Sequence, residues 1–374
     1  MVDFGSLQHK EKSLDFGTLK VKEYQNISRA HDNSPINLIR PGFVKTPFLD
    51  RISAFITHYV EIKRVIQEKE IDVIVLYSVP TNGLQTIKLA KKFGIPVVFR
   101  SIDVLHMLVM NKFLGPIVFA LEKRVYKKVD RILALSPKLS DYVIRMGAEE
   151  RKVELLLFGV DMNKFNPNID YSQLKNNLRL KKNSKIILYV GTLFDFSGLD
   201  IYLKQFPSIL KEHPETKLLI IGGGPLLNKL KNLTMKLNIS ENVVIPGFQP
   251  FNMMPQYINI ADICINPFKL TNITRDIIPG KIIQYLSCGK PVLATPLPGM
   301  ISRINGPDQG VIYSSISKFG EKTIELLNNK NKIKQIGKNG YLYVKKYHDE
   351  KEIARQLETI LYKEISKKQN KEIN

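Results

Sequence analysis

The stretch Arg275-Asp-Ile-Ile-Pro-Gly-Lys-Ile-Ile-Gln-Tyr-Leu-Ser-Cys-Gly-Lys-Pro-Val-Leu-Ala-Thr-Pro-Leu-Pro-Gly299 decides how the chain reads. Pro279-Gly280 predicts the opening of a short helix, because proline suits a first helical turn. Lys281 and Gln284 then fall three residues apart near its amino-terminal end, on one face. Gly289 ends the helix, and Pro291 starts a strand over Val292–Ala294. A cation, an amide and free helix N–H groups within one turn suit a nucleotide diphosphate and a ribose. The same residues also fit a capped surface helix with incidental polar side chains, and this stretch alone does not separate the two readings.

The helix-to-strand rhythm continues outward on both sides. Towards the middle of the chain, strands fit Ile186–Val190, Lys217–Ile221, Val243–Ile245 and Ile263–Asn266, with helices between them. From about Ser317 onward the chain reads as almost entirely helical. Near the start, Thr46-Pro47 reads as a helix cap, and Leu49, Ile52, Phe55, Ile56, Tyr59, Ile62 and Ile66 follow at helical spacing. Asp72–Ser78 reads as a buried strand, 82–93 as a helix ended by Gly94, and Pro96–Arg100 as a strand. A long apolar and basic helical segment then runs to about Lys128. Arg131–Ser136 reads as a strand, Pro137–Met146 as a helix and Val153–Phe158 as a strand.

Short apolar runs alternating with helices predict an α/β protein with parallel, doubly covered sheets. At 374 residues the chain exceeds one ordinary core. A polar, Asn- and Lys-rich stretch near 163–184 breaks the rhythm and reads as the inter-domain region. The expectation is two Rossmann-like domains facing each other across a cleft. They would span 1–168 and 169–350, with a C-terminal helix over 351–374 packing back on the first. Ligand would bind where carboxyl ends of strands and amino termini of helices point into the cleft.

Composition narrows the partners. Lys and Arg number 56 against 35 acidic residues, a formal net charge of +21. That excess favours nucleic acid, anionic lipid or phosphorylated small molecules, or simply a solvated surface. No aromatic-basic interleaving, zinc spacing or helix-turn-helix pattern supports nucleic acid. Two scattered cysteines, Cys264 and Cys288, make neither a disulfide framework nor a metal site, and the cytoplasm is the expected compartment. No signal peptide and no stretch suited to crossing a bilayer is visible; Asp103, His106, Asn111 and Lys112 interrupt the nearest candidate, Ile102–Leu121. The segment Val104–Lys128 joins apolar residues to Lys112, Lys123, Arg124, Lys127 and Lys128, so it reads either as an interfacial helix on anionic lipid or as a core helix with a basic end.

Two glycine loops sit at strand ends. Gly222-Gly-Gly-Pro225 follows a strong strand and opens a helix, and Tyr189-Val-Gly-Thr192 places a glycine at the mouth of a loop. Both suit close approach of a phosphate to backbone N–H groups, and both equally suit simple turns. Neither is a G-x-G-x-x-G fingerprint.

With these residues in family order, the chain resembles the retaining, glycogen-synthase-like family 4 glycosyltransferases of the two-Rossmann GT-B type. The matching pieces are Asp130-Arg-Ile-Leu-Ala-Leu-Ser136, Phe158-Gly-Val-Asp161 with Phe165 and Pro167, Tyr189–Thr192, Leu218–Pro225, Val244–Phe248, Tyr257–Pro267 and Pro279–Thr295. The resemblance implies sugar transfer from a UDP-, GDP- or ADP-sugar to a glycan or polyisoprenoid-linked acceptor, with retention of configuration. The nucleotide-sugar is a co-substrate, and neither a cofactor nor a metal is implied. It places the base near the Gly247-Phe248 loop and counts Gly223 among the donor-binding residues. The diphosphate falls at Gly191, Thr192 and the helix start of Gly280, Lys281 and Ile282, with Gln284 on the ribose and Asp276 on the sugar. The acceptor falls to the first domain, where Asp103 and His106 follow a strand end. There they read as sugar-contacting or catalytic groups, or else as a helix cap and a packed histidine.

Departures from the family accompany the matches. Thr192 and Ser197 stand where the family often has Arg and Lys, leaving Lys281 and Arg275 to supply charge to the leaving diphosphate. Asp276 and Gln284 stand where a pair of Glu is usual. The family's first strand and Gly-Gly loop find no match, so the first strand-helix unit is expected to be missing. These departures keep a second reading open, a non-catalytic relative serving as partner or binding protein. The expected location is cytoplasmic, either free or attached peripherally to the inner face of the membrane.

Overall fold

The computed structural model describes residues 16–27, 36–46, 49–77, 79, 82–109, 114–181 and 183–373. Two compact units account for them: one from Met1–Ala134, Leu139–Leu155 and Glu358–Asn374, the other from Leu135–Lys138 and Leu156–Leu357.

The first unit contains β1 (Gly17–Thr18), β2 (Lys22–Tyr24), β3 (Leu38–Arg40), β4 (Phe43–Val44), α1 (Leu49–Glu68), β5 (Ile74–Leu76), α2 (Gly83–Lys92), β6 (Val97–Ser101), α3 (Gly115–Lys128), β7 (Arg131–Ala134), α4 (Pro137–Arg145) and β8 (Val153–Leu155). Strands β5 to β8 pair in parallel in chain order, while β1 with β4 and β2 with β3 form short antiparallel pairs. Among the described residues the parallel sheet of this unit therefore begins at β5. The expected strands over Asp72–Ser78, Arg131–Ser136 and Val153–Phe158 are shorter in the structure. Ala134 pairs with Ser101, the last residue of β6, and Leu155 pairs with Ala134, so the ladder runs out there. Val104–Lys128 is not one helix: Leu105–Leu108 forms a single 3-10 turn, and α3 starts at Gly115-Pro116, where proline belongs in the first turn. Lys112, Asn111, Pro47 and Ser78 lie outside the described residues.

The second unit carries α5 (Ser172–Asn177), β9 (Lys185–Val190), α6 (Leu199–Glu212), β10 (Thr216–Ile221), α7 (Leu227–Lys236), β11 (Val243–Gly247), α8 (Met254–Ile260), β12 (Ile263–Asn266), α9 (Gly280–Ser287), β13 (Val292–Ala294), α10 (Pro298–Ile301), β14 (Val311–Tyr313), α11 (Phe319–Leu327), α12 (Lys330–Tyr347) and the start of α13 (Glu350–Ile373). Its sheet is wholly parallel, in the order β11-β10-β9-β12-β13-β14. Strand β14, three residues behind Gly310, has too short an apolar run to stand out in the sequence.

Near-continuous apolar strands fit a sheet covered on both faces. Ile187, Leu188 and Tyr189 of β9, Leu218, Leu219 and Ile220 of β10, and Ile263 and Ile265 of β12 are all fully buried. Each unit also uses an aspartate just before a strand to satisfy an N–H at the start of a neighbouring strand. Asp130 accepts from Val97 N–H at 2.8 Å, and Asp262 accepts from Ile186 N–H at 2.8 Å. A hydrogen bond to a charged acceptor is worth about 1.5–3 kcal/mol, and each one pins the strand register. The Asp130 motif of the sequence is thus a structural clamp.

Candidate active site

The strand order of the second unit turns back on itself between β9 and β12. Successive strands run outward from β9 through β10 to β11, then resume on the other side at β12. A crevice outside the carboxyl ends of the strands opens at such a reversal, and it is the usual ligand site of a doubly wound sheet. The loops after β9, β10, β11 and β12 and the start of α9 converge there.

Three of these loops interlock through backbone. Gly191 has φ +142°, and its N–H donates to Ile221 O at 2.9 Å. Gly222 has φ +136°, and a Cβ there would sit 2.1 Å from Gly191 O. Both positions therefore require glycine, for conformation and for space. Gly222 N–H donates to Gly247 O, and Leu193 N–H to Gly223 O, each at 2.9 Å. The Tyr189 hydroxyl donates to Thr192 O at 3.2 Å, which fixes the exposed Thr192 at the loop mouth. Phe248 is 75% exposed, yet its ring lies over Gly223, where an added Cβ would meet Cε2 at 2.6 Å.

Lys281 rises from the first turn of α9 into this crevice. Its ammonium stands 3.8 Å from the centroid of the Tyr189 ring and 4.6 Å from that of Phe268. A Cβ on Gly191 would come within 2.8 Å of Nζ. Among the described residues no carboxylate pairs with it, and its burial holds the ammonium pKa well below the ordinary lysine range. The ring faces repay part of the lost hydration, about 0.5–2 kcal/mol per contact. Nearby cations are already committed: Lys269 pairs with Asp195 at 3.0 Å and Asp200 at 3.5 Å, and Lys229 with Asp200 at 3.1 Å.

The remaining expected residues fall out as follows. The helix α9 begins after Pro279 with no side-chain cap, and Gly280 faces open space. Gln284 is half-buried, and its amide makes no hydrogen bond among the described residues. Arg275 is exposed and without an ion pair among them; its carbonyl accepts from Gly299 N–H at 2.9 Å, which ties the 275–276 segment to α10. Asp276 packs its backbone against Gly299, where a Cβ would meet its carbonyl oxygen at 2.4 Å. Ile282 turns away: its side chain is fully buried in the core, and its N–H donates to Pro279 O at 3.0 Å. The helical spacing that puts Lys281 and Gln284 on the open face puts Ile282 on the core face, so its side chain cannot line the site. Ser197, at a position where the family often has Lys, is fully buried with no partner for its hydroxyl among the described residues.

Asp103 and His106 belong to the first unit. Asp103 is half-buried, and burial raises its pKa. His106 Nδ1 lies 2.6 Å from Oε2 of Glu122, a carboxylate with no exposed surface. Leu105 N–H and the Tyr126 hydroxyl donate to Glu122 Oε1 at 2.9 and 3.1 Å, and the Tyr142 hydroxyl donates to Oε2 at 3.0 Å. Burial first, then the charge of Glu122, pushes both tyrosine pKa values up, so both hydroxyls keep their protons. Sequence reasoning missed Glu122, Tyr189 as an aromatic partner, and Phe268. The one available signal was a lone acid inside the apolar and basic helix α3, four residues before a tyrosine.

Two family models match the chain: "Glycosyltransferase Family 4" over residues 22–164 and "Glycosyl transferases group 1" over residues 170–343. The chain is 25% identical over 262 residues to the alpha-monoglucosyldiacylglycerol synthase of Streptococcus pneumoniae, covering 67% of this chain and 57% of that protein. It is 28% identical over 139 residues to a GDP-mannose-dependent phosphatidylinositol monomannoside mannosyltransferase of Mycolicibacterium smegmatis, covering 36% of each. It thus spans less than two thirds of the length of these relatives. Among solved structures, HepE of Anabaena in complex with UDP and glucose superposes with a TM-score of 0.68 at 15% identity, covering 81% of this chain and 80% of that one. Two parallel-sheet units, the glycine loops at the strand reversal and both family models agree: this chain belongs to the family 4 glycosyltransferases of the two-Rossmann, GT-B type.

Proposed function

We propose that this protein is a retaining glycosyltransferase that moves a sugar from a UDP-, GDP- or ADP-linked donor to a glycan or polyisoprenoid-linked acceptor, without a metal. The observation that carries this reading is the Lys281 ammonium beside the Gly191 backbone, with no carboxylate partner among the described residues, at the start of α9, which has no side-chain cap. When the bond to the anomeric carbon breaks, negative charge gathers on the departing diphosphate. A fixed cation and helix N–H groups stabilise that charge more than the ground state, which is what speeds the step. Arg275 adds an exposed cation, Gln284 a hydrogen-bonding partner for the ribose, and Asp276 an acceptor for the sugar hydroxyls. The exposed Phe248 ring, packed over Gly223, offers its outer face to the base. Asp103 and His106 serve the sugar or acceptor. In the front-face route that the family resemblance implies, no protein nucleophile forms; an oxygen of the leaving phosphate assists loss of the acceptor proton.

Similar proteins are associated with both nucleotides, one named as GDP-mannose-dependent and one crystallised with UDP, so the base stays a question for measurement. A lipid acceptor gains support from the surface of the first unit. Helix α3 exposes Ile117 and Phe119 in its first half and Lys123, Arg124, Lys127 and Lys128 in its second. Helix α1 exposes Leu49, Ile52, Phe55 and Ile56. Apolar side chains next to cations suit an anionic bilayer surface, in keeping with work at the inner face of a membrane. Among the described residues no helix is long and apolar enough to cross one.

The deciding experiment is thermal stabilisation by UDP-, GDP- and ADP-sugars and their free diphosphates, with and without a chelator. A ligand at roughly 100 times its Kd adds about 2.7 kcal/mol. A response to one base, unchanged by the chelator, supports the donor site, and the anomeric configuration of the product then tests retention. The buried Ser197 and the exposed Thr192, at positions where the family often has cations, favour the second reading, a non-catalytic binding relative. Tight donor binding without any nucleoside diphosphate release would select it. No response on a folded sample removes the site.

A further inference from the structure

We propose that Glu122 is a positioning residue that holds His106 with its proton on Nδ1 and presents Nε2 as a hydrogen-bond acceptor for a hydroxyl of the sugar or the acceptor. The proposal rests on the reading of His106 as a sugar-contacting group. Its basis is the convergence of donors on one fully buried carboxylate. A neutral imidazole carries one N–H, and the nitrogen facing a carboxylate oxygen 2.6 Å away must be the one that bears it. The lone pair then falls on Nε2, which has no partner among the described residues. The Tyr142 hydroxyl lies 3.1 Å from Nδ1, but its proton goes to Glu122 Oε2, so it does not reverse the assignment.

The ring is also held against rotation. Phe119 meets it edge-on at 5.1 Å between centroids, and Tyr142 stacks beside it at 6.2 Å. Glu122 in turn is locked by Leu105 N–H and the Tyr126 hydroxyl on its other oxygen. An anchor for the 105–108 turn would need only the Leu105 contact. The additional histidine and tyrosine contacts fix one nitrogen's protonation, the usual work of a carboxylate behind a working imidazole.

Two measurements on the full chain test this. In the wild-type protein labelled with 15N-histidine, the neutral His106 ring is expected as the Nδ1–H tautomer; an Nε2–H ring overturns the proposal without any variant. Turnover is read as nucleoside diphosphate released from UDP-glucose or GDP-mannose. Glu122→Gln keeps the shape and removes the charge, and it is expected to lower kcat by about 10²–10⁴, the range of a positioned proton-transfer or hydrogen-bonding group, with the donor KM little changed. His106→Ala is expected to fall as far, and the double variant no further than His106→Ala alone. Losses that multiply in the double variant would mean Glu122 acts on the fold and not through His106. Wild-type turnover in His106→Ala would sink the reading of His106 itself, a result separate from the tautomer.

Discussion

Lys281 is an ammonium held between two rings with no counter-charge among the described residues. Its folded pKa lies below the unfolded value of 10.5, so the unfolded chain binds more protons between those two values. The free protein should therefore gain stability as pH rises through that window, and Lys281→Met should flatten the slope in urea melts. A bound diphosphate favours the ammonium, so affinity for UDP or GDP should fall as pH rises through the lowered value. Lys281→Arg should abolish that fall, because a guanidinium stays charged. At neutral pH, Lys281→Met should weaken diphosphate binding about 10- to 100-fold, the scale of one charged hydrogen bond; calorimetry showing unchanged affinity would take Lys281 out of the site. His348 offers a second titration. Burial lowers its pKa from 6.5 to about 4, while Nδ1 bonds Phe158 O at 2.8 Å. The stability it secures is present above pH 6.5 and is lost as pH falls towards 4. Unfolding free energy should drop by about 2 kcal/mol from pH 7 to pH 5 on this account, and His348→Asn should remove most of that drop.

At the scale of elements, α12 shows packing overruling helix propensity. Gly337 and Gly340 interrupt a Lys- and Asn-rich helix, and each would gain about 1 kcal/mol from alanine in an isolated helix. A Cβ on Gly337, however, would stand 2.1 Å from the carbonyl oxygen of Gly289, just past the end of α9. Backbone at that distance cannot yield cheaply, and overpacking costs about 1–3 kcal/mol. Gly337→Ala should thus destabilise the second unit, while Lys338→Ala on the exposed face should stay within about 0.5 kcal/mol of wild type. Equal midpoints for the two in urea would show that α12 does not press on α9 in this way. The contact bears on the site because α9 carries Lys281 at its other end and Gln284 between.

At the scale of the whole molecule, the last helix completes the first sheet. Arg131 opens β7, and its guanidinium is buried against Glu364, 233 residues later, with Nε donating at 3.0 Å. It also donates to Arg151 O at 2.9 Å and pairs with Glu154 at 2.6 Å. Burial raises the Glu364 pKa, but hydrogen bonds from Lys367 and Arg131 outweigh it and the net shift is downward. The pair therefore stabilises the fold above the ordinary value of 4.5, and that contribution is lost as pH falls below it. Glu364→Ala strands a buried guanidinium, and about 3 kcal/mol should be lost at pH 7. A thermal midpoint equal to wild type would show that α13 is dispensable to this unit.

The fold class was legible because its cues are local. Apolar runs such as Ile186–Val190 and Lys217–Ile221, each followed by glycine, state that a strand is buried on both faces and turns sharply at its end. The same local cues mark Gly191, Gly223 and Lys281 as candidate phosphate-facing positions in the sequence alone. Periodicity states that a face is buried but not what it is buried against, so the rest depended on distant segments meeting. Lys281 meets no carboxylate among the described residues, and it is desolvated where Tyr189 and Phe268 close on it. Ile282 faces the core only because α9 lies on the sheet in that rotation. Glu122 looks like one more surface acid of a basic helix until the fold brings Leu105, His106, Tyr126 and Tyr142 onto its two oxygens. The charge of a side chain is written in the sequence; whether that charge is spent on a neighbour or left for a ligand is decided only when the chain has closed around it.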